Sequence, residues 1–183
     1  LLVVGVGNIG SQVARIGHGL DMNVLCVDIE NKYPEEKYVS IDEGLPLADI
    51  VVCAMNLTED NYSYFNYQRL SQAKKGLVFI NISRGEQSPS TDLLKHLEEG
   101  HLAGVGMDVY VNEKELAVSL REGRSSDDPE VQATLVLLEK PNVIFTPHNA
   151  FNTVEAVEKK AGESVDQLLY YLEHGHFYAT IPE

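Results

Sequence analysis

Residues 5–10 read Gly5-Val6-Gly7-Asn8-Ile9-Gly10, a G-x-G-x-x-G spacing that can seat a pyrophosphate. The chemistry belongs to the backbone. Gly5 permits a tight turn, Gly7 lets a phosphate approach the main chain, and Gly10 lets a helix pack close to a strand. The amides of a first helical turn then face the anion, with the helix dipole behind them. Alone the pattern is weak; here it follows an apolar strand-like run and opens a helix-like stretch, the context it needs. Asp28 ends the next apolar run, eighteen residues after Gly10. An acid there accepts hydrogen bonds from both hydroxyls of an adenosine ribose and repels a 2′-phosphate, which favours NAD over NADP.

A second group of residues carries side-chain chemistry. Arg84 follows the apolar run 77–82 in Asn81-Ile82-Ser83-Arg84-Gly85, Asp108 follows the run 102–107 with Glu113 five residues on, and His148 follows the run 143–146 in Thr146-Pro147-His148-Asn149. Any one of them by itself reads as an ordinary loop charge. Together, an anion-binding guanidinium, a carboxylate and an imidazole lie just past strand ends. In an open parallel sheet that edge is where ligands bind.

These residues need a scaffold, and the rest of the chain supplies its pattern. The sequence has 183 residues, 44% of them hydrophobic and 23% charged, ordinary globular usage that excludes disorder, collagen and coiled coil. One compact domain, or one domain with a small appendage, is expected, large enough to hold a core without a disulfide or a metal. Short apolar runs at 1–6, 23–28, 50–55, 77–82, 102–107 and 143–146 lack period-2 alternation, as strands buried on both faces do. Helix-like stretches lie at 8–18, 60–72, 91–99, 128–140 and 153–173. The alternation predicts an α/β fold, doubly wound, with a mainly parallel sheet and helices on both faces. Ser88-Pro89 and Asn152 with Glu155 read as helix starts. Gly100 and Gly175 read as left-handed stops. Residues 112–127 read as a polar surface excursion.

Composition also excludes partners. A formal charge of −14 argues against nucleic acid, and no apolar run reaches the ~20 residues of a membrane helix. No basic segment of the signal-peptide kind opens the chain. Cys26 and Cys53 lie in apolar runs without a C-x-x-C spacing, so they read as buried thiols in a reducing compartment and not as a metal site. His18, His96, His101, His174 and His176 have no paired ligand spacing, and the metal expectation is none. Tyr62, Tyr64, Phe65 and Tyr67 are expected in the core or at a subunit contact. Tyr170 and Tyr171 are expected against a partner or a further domain.

Residues 5–10 with Asp28, the segment 81–85, the run His101-Leu102-Ala103-Gly104-Val105-Gly106-Met107-Asp108-Val109-Tyr110 with Glu113, and Thr146-Pro147-His148 together resemble the NAD-binding domain of the D-isomer-specific 2-hydroxyacid dehydrogenases. The resemblance runs from Val3 to about Gly175. Asp108-Val109-Tyr110, the excursion after it, and residues 147–151 look most like the D-lactate and D-2-hydroxyisocaproate dehydrogenases. It implies a Rossmann-type NAD-binding domain over 1–183, with Gly5, Gly7, Asn8, Ile9, Gly10, Asp28, Asn56, Leu57, Thr58, Ile82, Ser83 and Asp108 lining the cofactor. Arg84 would hold the carboxylate of a 2-oxo acid, His148 would be general acid and base, and Glu113 would orient the imidazole. Asp108 would accept from the nicotinamide carboxamide. The resemblance further implies a cytoplasmic homodimer and a second, substrate-binding domain built from residues outside this chain. The chain would then be the cofactor half of the enzyme and nearly inactive alone. A glyoxylate or hydroxypyruvate reductase and a non-catalytic NAD-sensing corepressor share the same residues. The chain departs from the family pattern where Asn56 replaces a proline and Lys114 follows the glutamate. It departs again where Glu86-Gln87-Ser88-Pro89 replaces the usual Gly-x-x-Asp.

Overall fold

The computed structural model describes residues 1–179, and the last four residues of the expected domain lie outside them. The described chain divides into two units, residues 1–147 and 148 onward. All six apolar runs form strands of the first unit: β1 (Leu2–Val4), β2 (Leu25–Val27), β3 (Ile50–Cys53), β4 (Leu77–Asn81), β5 (Leu102–Met107) and β6 (Val143–Phe145). Every pairing is parallel, in the order β2-β1-β3-β4-β5-β6. The order reverses at β1, which sends the chain left to β2 and then right through β3. Such a reversal opens a crevice beyond the strand ends.

Burial explains why the runs do not alternate. Leu2 and Val4 of β1 enter one apolar cluster, with Val51, Cys53, Phe79, Val105 and Met107, while Val3 enters another, with Val6, Ala14, Val24 and Cys26. Successive strand side chains point to opposite faces, so each face of β1 has its own core. Helix α1 (Asn8–Gly19) supplies Ala14 to the second cluster. A short α2 (Ile41–Gly44), a single-turn α3 (Tyr67–Leu70), α4 (Ser90–Glu98), α5 (Glu113–Glu122) and α6 (Pro129–Leu138) belong with the first, through Ile41, Leu70, Leu93, Leu97, Leu116, Val131 and Leu137. Both thiols are free and buried. Burial raises each to a pKa of about 12, and Glu36 adds to the effect at Cys26.

Four local expectations need correction. The stretch 60–72 is not one helix. It holds a 3₁₀ turn at Glu59–Asn61 and then α3, because Ser63 is left-handed and the Ser63 and Phe65 amides donate to Glu86 and Gln87 carbonyls instead of their own turn. The excursion 112–127 contains α5, opened by a left-handed Asn112. Ser88 does not cap α4. The cap position is Pro89, without a side-chain bond, and the carboxylate of Glu130 on α6 accepts from the Ser90 amide and the Thr91 hydroxyl, both at 2.6 Å. The last helix, α7 (Val154–His174), starts from Thr153, whose hydroxyl accepts from Ala156, and not from Asn152. The expected left-handed Gly100 and Gly175 are observed.

The aromatic expectations divide. Phe65 is buried against Phe79 and Tyr64, and Tyr67 stacks on His96; Tyr62 is exposed. In the second unit, Tyr170 stacks on His174 and Tyr171 on Phe177, so both rings meet their own unit's C-terminal segment. None of the described helices is long and apolar enough to cross a membrane.

Candidate active site at the carboxyl edge of the sheet

Because all six strands are parallel, their carboxyl ends and the first-unit loops that leave them lie on one edge. The glycine turn occupies its centre. Gly5 has φ +91°, and a Cβ on it would fall 2.4 Å from the Met55 nitrogen beyond β3, so the loops after β1 and β3 touch main chain to main chain. A Cβ on Gly10 would fall 1.9 Å from the Gly5 carbonyl oxygen. Only glycine permits these approaches. Gly7 is different: a Cβ there would meet nothing within 4 Å, and Gly7 is exposed. It caps α1 without a side-chain bond, and the first turn carries no acid. The amides after it, at Asn8 and Ile9, are thus left for an anion. A dinucleotide pyrophosphate fits this cradle.

Asp28 stands beside it. Its Oδ2 accepts from the Val6 amide at 2.5 Å and its Oδ1 from the Glu30 amide at 3.1 Å. An ionised carboxylate has about four acceptor positions, so capacity remains for ribose hydroxyls. The same bonds tie the acid to the glycine turn before any cofactor arrives.

Asn56 and Thr58 are exposed and Leu57 half-buried beyond β3. Asn61 shapes this segment: its Oδ1 accepts from the Thr58 amide at 2.9 Å and its Nδ2 donates to the Asn56 carbonyl at 2.7 Å. The Ser83 hydroxyl donates to the Met55 carbonyl. The arginine loop after β4 is held from below by buried Asn81. Its Oδ1 accepts from Ser83 N–H at 2.9 Å, and its Nδ2 donates to the Arg84 carbonyl at 2.8 Å and the Ser88 hydroxyl at 2.7 Å. The Ile82 amide bonds the Cys53 carbonyl. Arg84 itself is exposed, with Nη1 2.7 Å from the Ser83 carbonyl.

The loop after β5 rests directly on the arginine loop. A Cβ on Gly85 would lie 2.0 Å from the Tyr110 carbonyl carbon and 2.3 Å from the Val111 nitrogen. Asp108 accepts from the Thr146 hydroxyl at 2.5 Å, and its amide donates to the Asn81 carbonyl. Tyr110 stacks on Phe145 and its hydroxyl donates to the Thr146 carbonyl. Burial, with the Asp108 and Glu113 charges, holds that hydroxyl at a pKa of about 12. Glu113 begins α5, and its Oε1 lies 3.3 Å from the Tyr110 amide.

The first unit thus gathers on one edge the cradle, Asp28, residues 56–58, Ile82, Ser83, Arg84, Asp108 and Glu113. His148 opens the second unit. It is half-buried, left-handed at φ +47°, and edge-on to Phe151 at 6.3 Å. A left-handed non-glycine costs of order 1 kcal/mol and is more frequent at functional positions than elsewhere. Sequence reasoning missed Thr146 as the support of Asp108, Tyr110 as the ring whose hydroxyl holds the Thr146 carbonyl, and Gln87 as a fully buried amide. The signal available for Gln87 was its departure from the family pattern. No group of three His, Cys, Asp or Glu among the described residues could hold a metal ion.

Residues 1–150 match the family model described as D-isomer specific 2-hydroxyacid dehydrogenase, NAD binding domain. A D-lactate dehydrogenase of Streptococcus agalactiae serotype V is 32% identical over 177 residues, covering 94% of this chain and 53% of that protein. Among solved structures, D-lactate dehydrogenase from Aquifex aeolicus, complexed with NAD and lactic acid, superposes with a TM-score of 0.86 at 30% identity, over 99% of this chain and 57% of that one. A glyoxylate reductase from Paecilomyes thermophila superposes at 0.81 and 27% identity, over 99% and 51%. The chain spans about half the length of these relatives. With the open cradle at α1, the acid beyond β2 and the family's pattern over most of its length, the chain belongs to the D-isomer-specific 2-hydroxyacid dehydrogenases and carries their NAD-binding domain.

Proposed function

We propose that the protein is an NAD-dependent D-2-hydroxyacid dehydrogenase, D-lactate-like in substrate, and that residues 1–183 form its cofactor domain. The observation that carries the reading is the pairing, on one sheet edge, of a glycine cradle open only at Gly7 with an exposed Arg84 whose loop is packed against the one bearing Asp108 and Glu113. When bound, the reduced nicotinamide supplies a hydride to C2 of a 2-oxo acid. Arg84 holds the substrate carboxylate with a bidentate guanidinium and polarises the adjacent carbonyl. His148 donates a proton to the oxygen that becomes the hydroxyl, and withdraws it in the reverse direction. Glu113 orients the imidazole. Asp108, held by the Thr146 hydroxyl, accepts from the nicotinamide carboxamide and fixes the ring. Asp28 selects NAD over NADP.

The same reading includes a second domain that closes over this edge, excludes water and aligns the carbonyl with the nicotinamide. It also includes a homodimer and a cytoplasmic location. A glyoxylate or hydroxypyruvate reductase is the second reading, favoured by the glyoxylate reductase likeness. The test is NADH oxidation at 340 nm by the full protein with pyruvate, 2-oxoisocaproate, glyoxylate and hydroxypyruvate, with chiral analysis of the product. D-lactate formed at the highest kcat/KM is the expected result. Preference for glyoxylate or hydroxypyruvate selects the second reading. NADH binding without turnover of any of the four indicates a cofactor sensor and overturns both.

A further inference from the structure

The geometry points to Gln87 as a positioning residue: its buried carboxamide sets the spacing between the cofactor wall beyond β3 and the substrate-binding Arg84. The inference rests on the dehydrogenase reading for its consequence, but not for the clasp itself.

Gln87 is 0% exposed, unusual for an amide side chain unless its polar atoms are matched. Here every one has a partner. Nε2 donates to the Asn56 carbonyl at 3.2 Å and lies 3.5 Å from the Met55 carbonyl. Oε1 accepts from the Cys53 thiol at 3.5 Å. That thiol stays protonated because burial raises it to about 12, so it remains a donor. The Gln87 main chain completes the clasp: its amide donates to the Arg84 carbonyl at 3.2 Å and its carbonyl accepts from Phe65 at 2.8 Å. One residue therefore joins β3, the 55–56 segment, the aromatic stretch and the arginine loop. The 55–56 segment and the arginine loop are the two walls between which nicotinamide and substrate would meet.

An apolar residue of similar size would fill the volume but leave the carbonyls without this donor. The fold would persist, because Met55 keeps the Ser83 hydroxyl and Asn56 keeps the Asn61 amide. What would be lost is the fixed distance between walls, on which reactant alignment depends; misplacement of about 1 Å can cost ~100-fold in rate.

The experiment compares the full native protein with Gln87→Met and with Gln87→Glu. The latter keeps the shape and the acceptor toward Cys53; burial favours its neutral form, so it is compared at alkaline pH, where the ionised carboxylate offers no donor. Hydrogen exchange is measured by mass spectrometry, alongside NADH affinity and steady-state kinetics. Faster exchange is expected in residues 55–61 and 83–88 together, with β5 and α6 unchanged. KM for the 2-oxo acid is expected to rise at least tenfold, and Kd for NADH, which the 56–58 segment lines, to rise by less. If Gln87→Met does not fold, Gln87→Glu carries the comparison. Unchanged exchange in either segment, or uniformly faster exchange across the sheet, overturns the clasp. Altered exchange with unchanged KM in an active enzyme overturns the positioning role. If the native protein reduces no 2-oxo acid, the dehydrogenase reading fails and the exchange result still decides the clasp.

Discussion

Gly85→Ala isolates the contact on which the site's internal geometry rests. Gly85 does not adopt a left-handed conformation, so alanine meets no conformational penalty there, and the effect is steric. The new methyl would stand 2.0 Å from the Tyr110 carbonyl carbon and 2.4 Å from its oxygen. These are main-chain atoms with no rotamer to escape into. One loop must retreat by on the order of 1 Å, an overpacking that costs about 1–3 kcal/mol. For a protein of this size, ~2 kcal/mol lowers Tm by roughly 4–8 °C. The moving parts are Arg84 on one side and Asp108 with Glu113 on the other. A displacement near 1 Å between them predicts a fall of about 100-fold in kcat/KM for the 2-oxo acid. Thermal melting and NADH oxidation at 340 nm read the two effects separately. An alanine variant within threefold of native activity and 1 °C of native Tm would show that the loops do not constrain each other, and the account of how Arg84 is positioned would fall.

Other outcomes follow from the same contacts. Asp28→Ala removes the acceptor for the Val6 and Glu30 amides as well as for ribose, so NADH affinity should fall about 10- to 100-fold and the gap to NADPH should narrow; calorimetry showing native NADPH binding as tight as NADH would refute the assignment. Glu130→Ala strips α4 of the carboxylate at its N-terminus and should cost about 1 kcal/mol by denaturant titration; an unchanged midpoint would mean water replaces it without loss. Cys26, Cys53 and Tyr110 are held near 12 in the fold against ordinary values of 9.0 and 10.0. Their unfolded forms therefore release protons first as pH rises, and stability should decline from about pH 9 toward 12. Equilibrium unfolding across that range checks it, and a flat profile would contradict the burial of these groups. Residues 1–183 alone should oxidise NADH with pyruvate two to three orders of magnitude more slowly than the full protein, if one wall of the cleft supplies only part of the ~7–11 kcal/mol available from positioning. Rates within tenfold would show that no second domain shapes the site.

The sequence by itself determined the strands, their two-sided burial and the identity of the cradle, because each is written in local residue types. A run such as Leu2-Val3-Val4 has apolar residues for both faces. Gly5 and Gly10 stand where main chains touch, and no other residue would fit. Arg84, Asp108 and Glu113 were legible for the same reason: a parallel sheet sends every strand end to one edge, so their position follows from the strands. What only the tertiary structure decided has partners far along the chain. Residues 60–72 carry helix-like composition, yet the Ser63 and Phe65 amides go to the loop at 86–87, and a local pattern cannot register a competing acceptor more than twenty residues away. Helix α4 takes its terminal carboxylate from Glu130, forty residues beyond Ser90. Thr146 was read as a strand end and proved to hold Asp108. Gln87 looked like a departure in a loop and is buried with its amide matched. Periodicity reports which residues must leave water, whereas the polar partners that let Gln87 and Asn81 leave it are chosen only when separate strands come together.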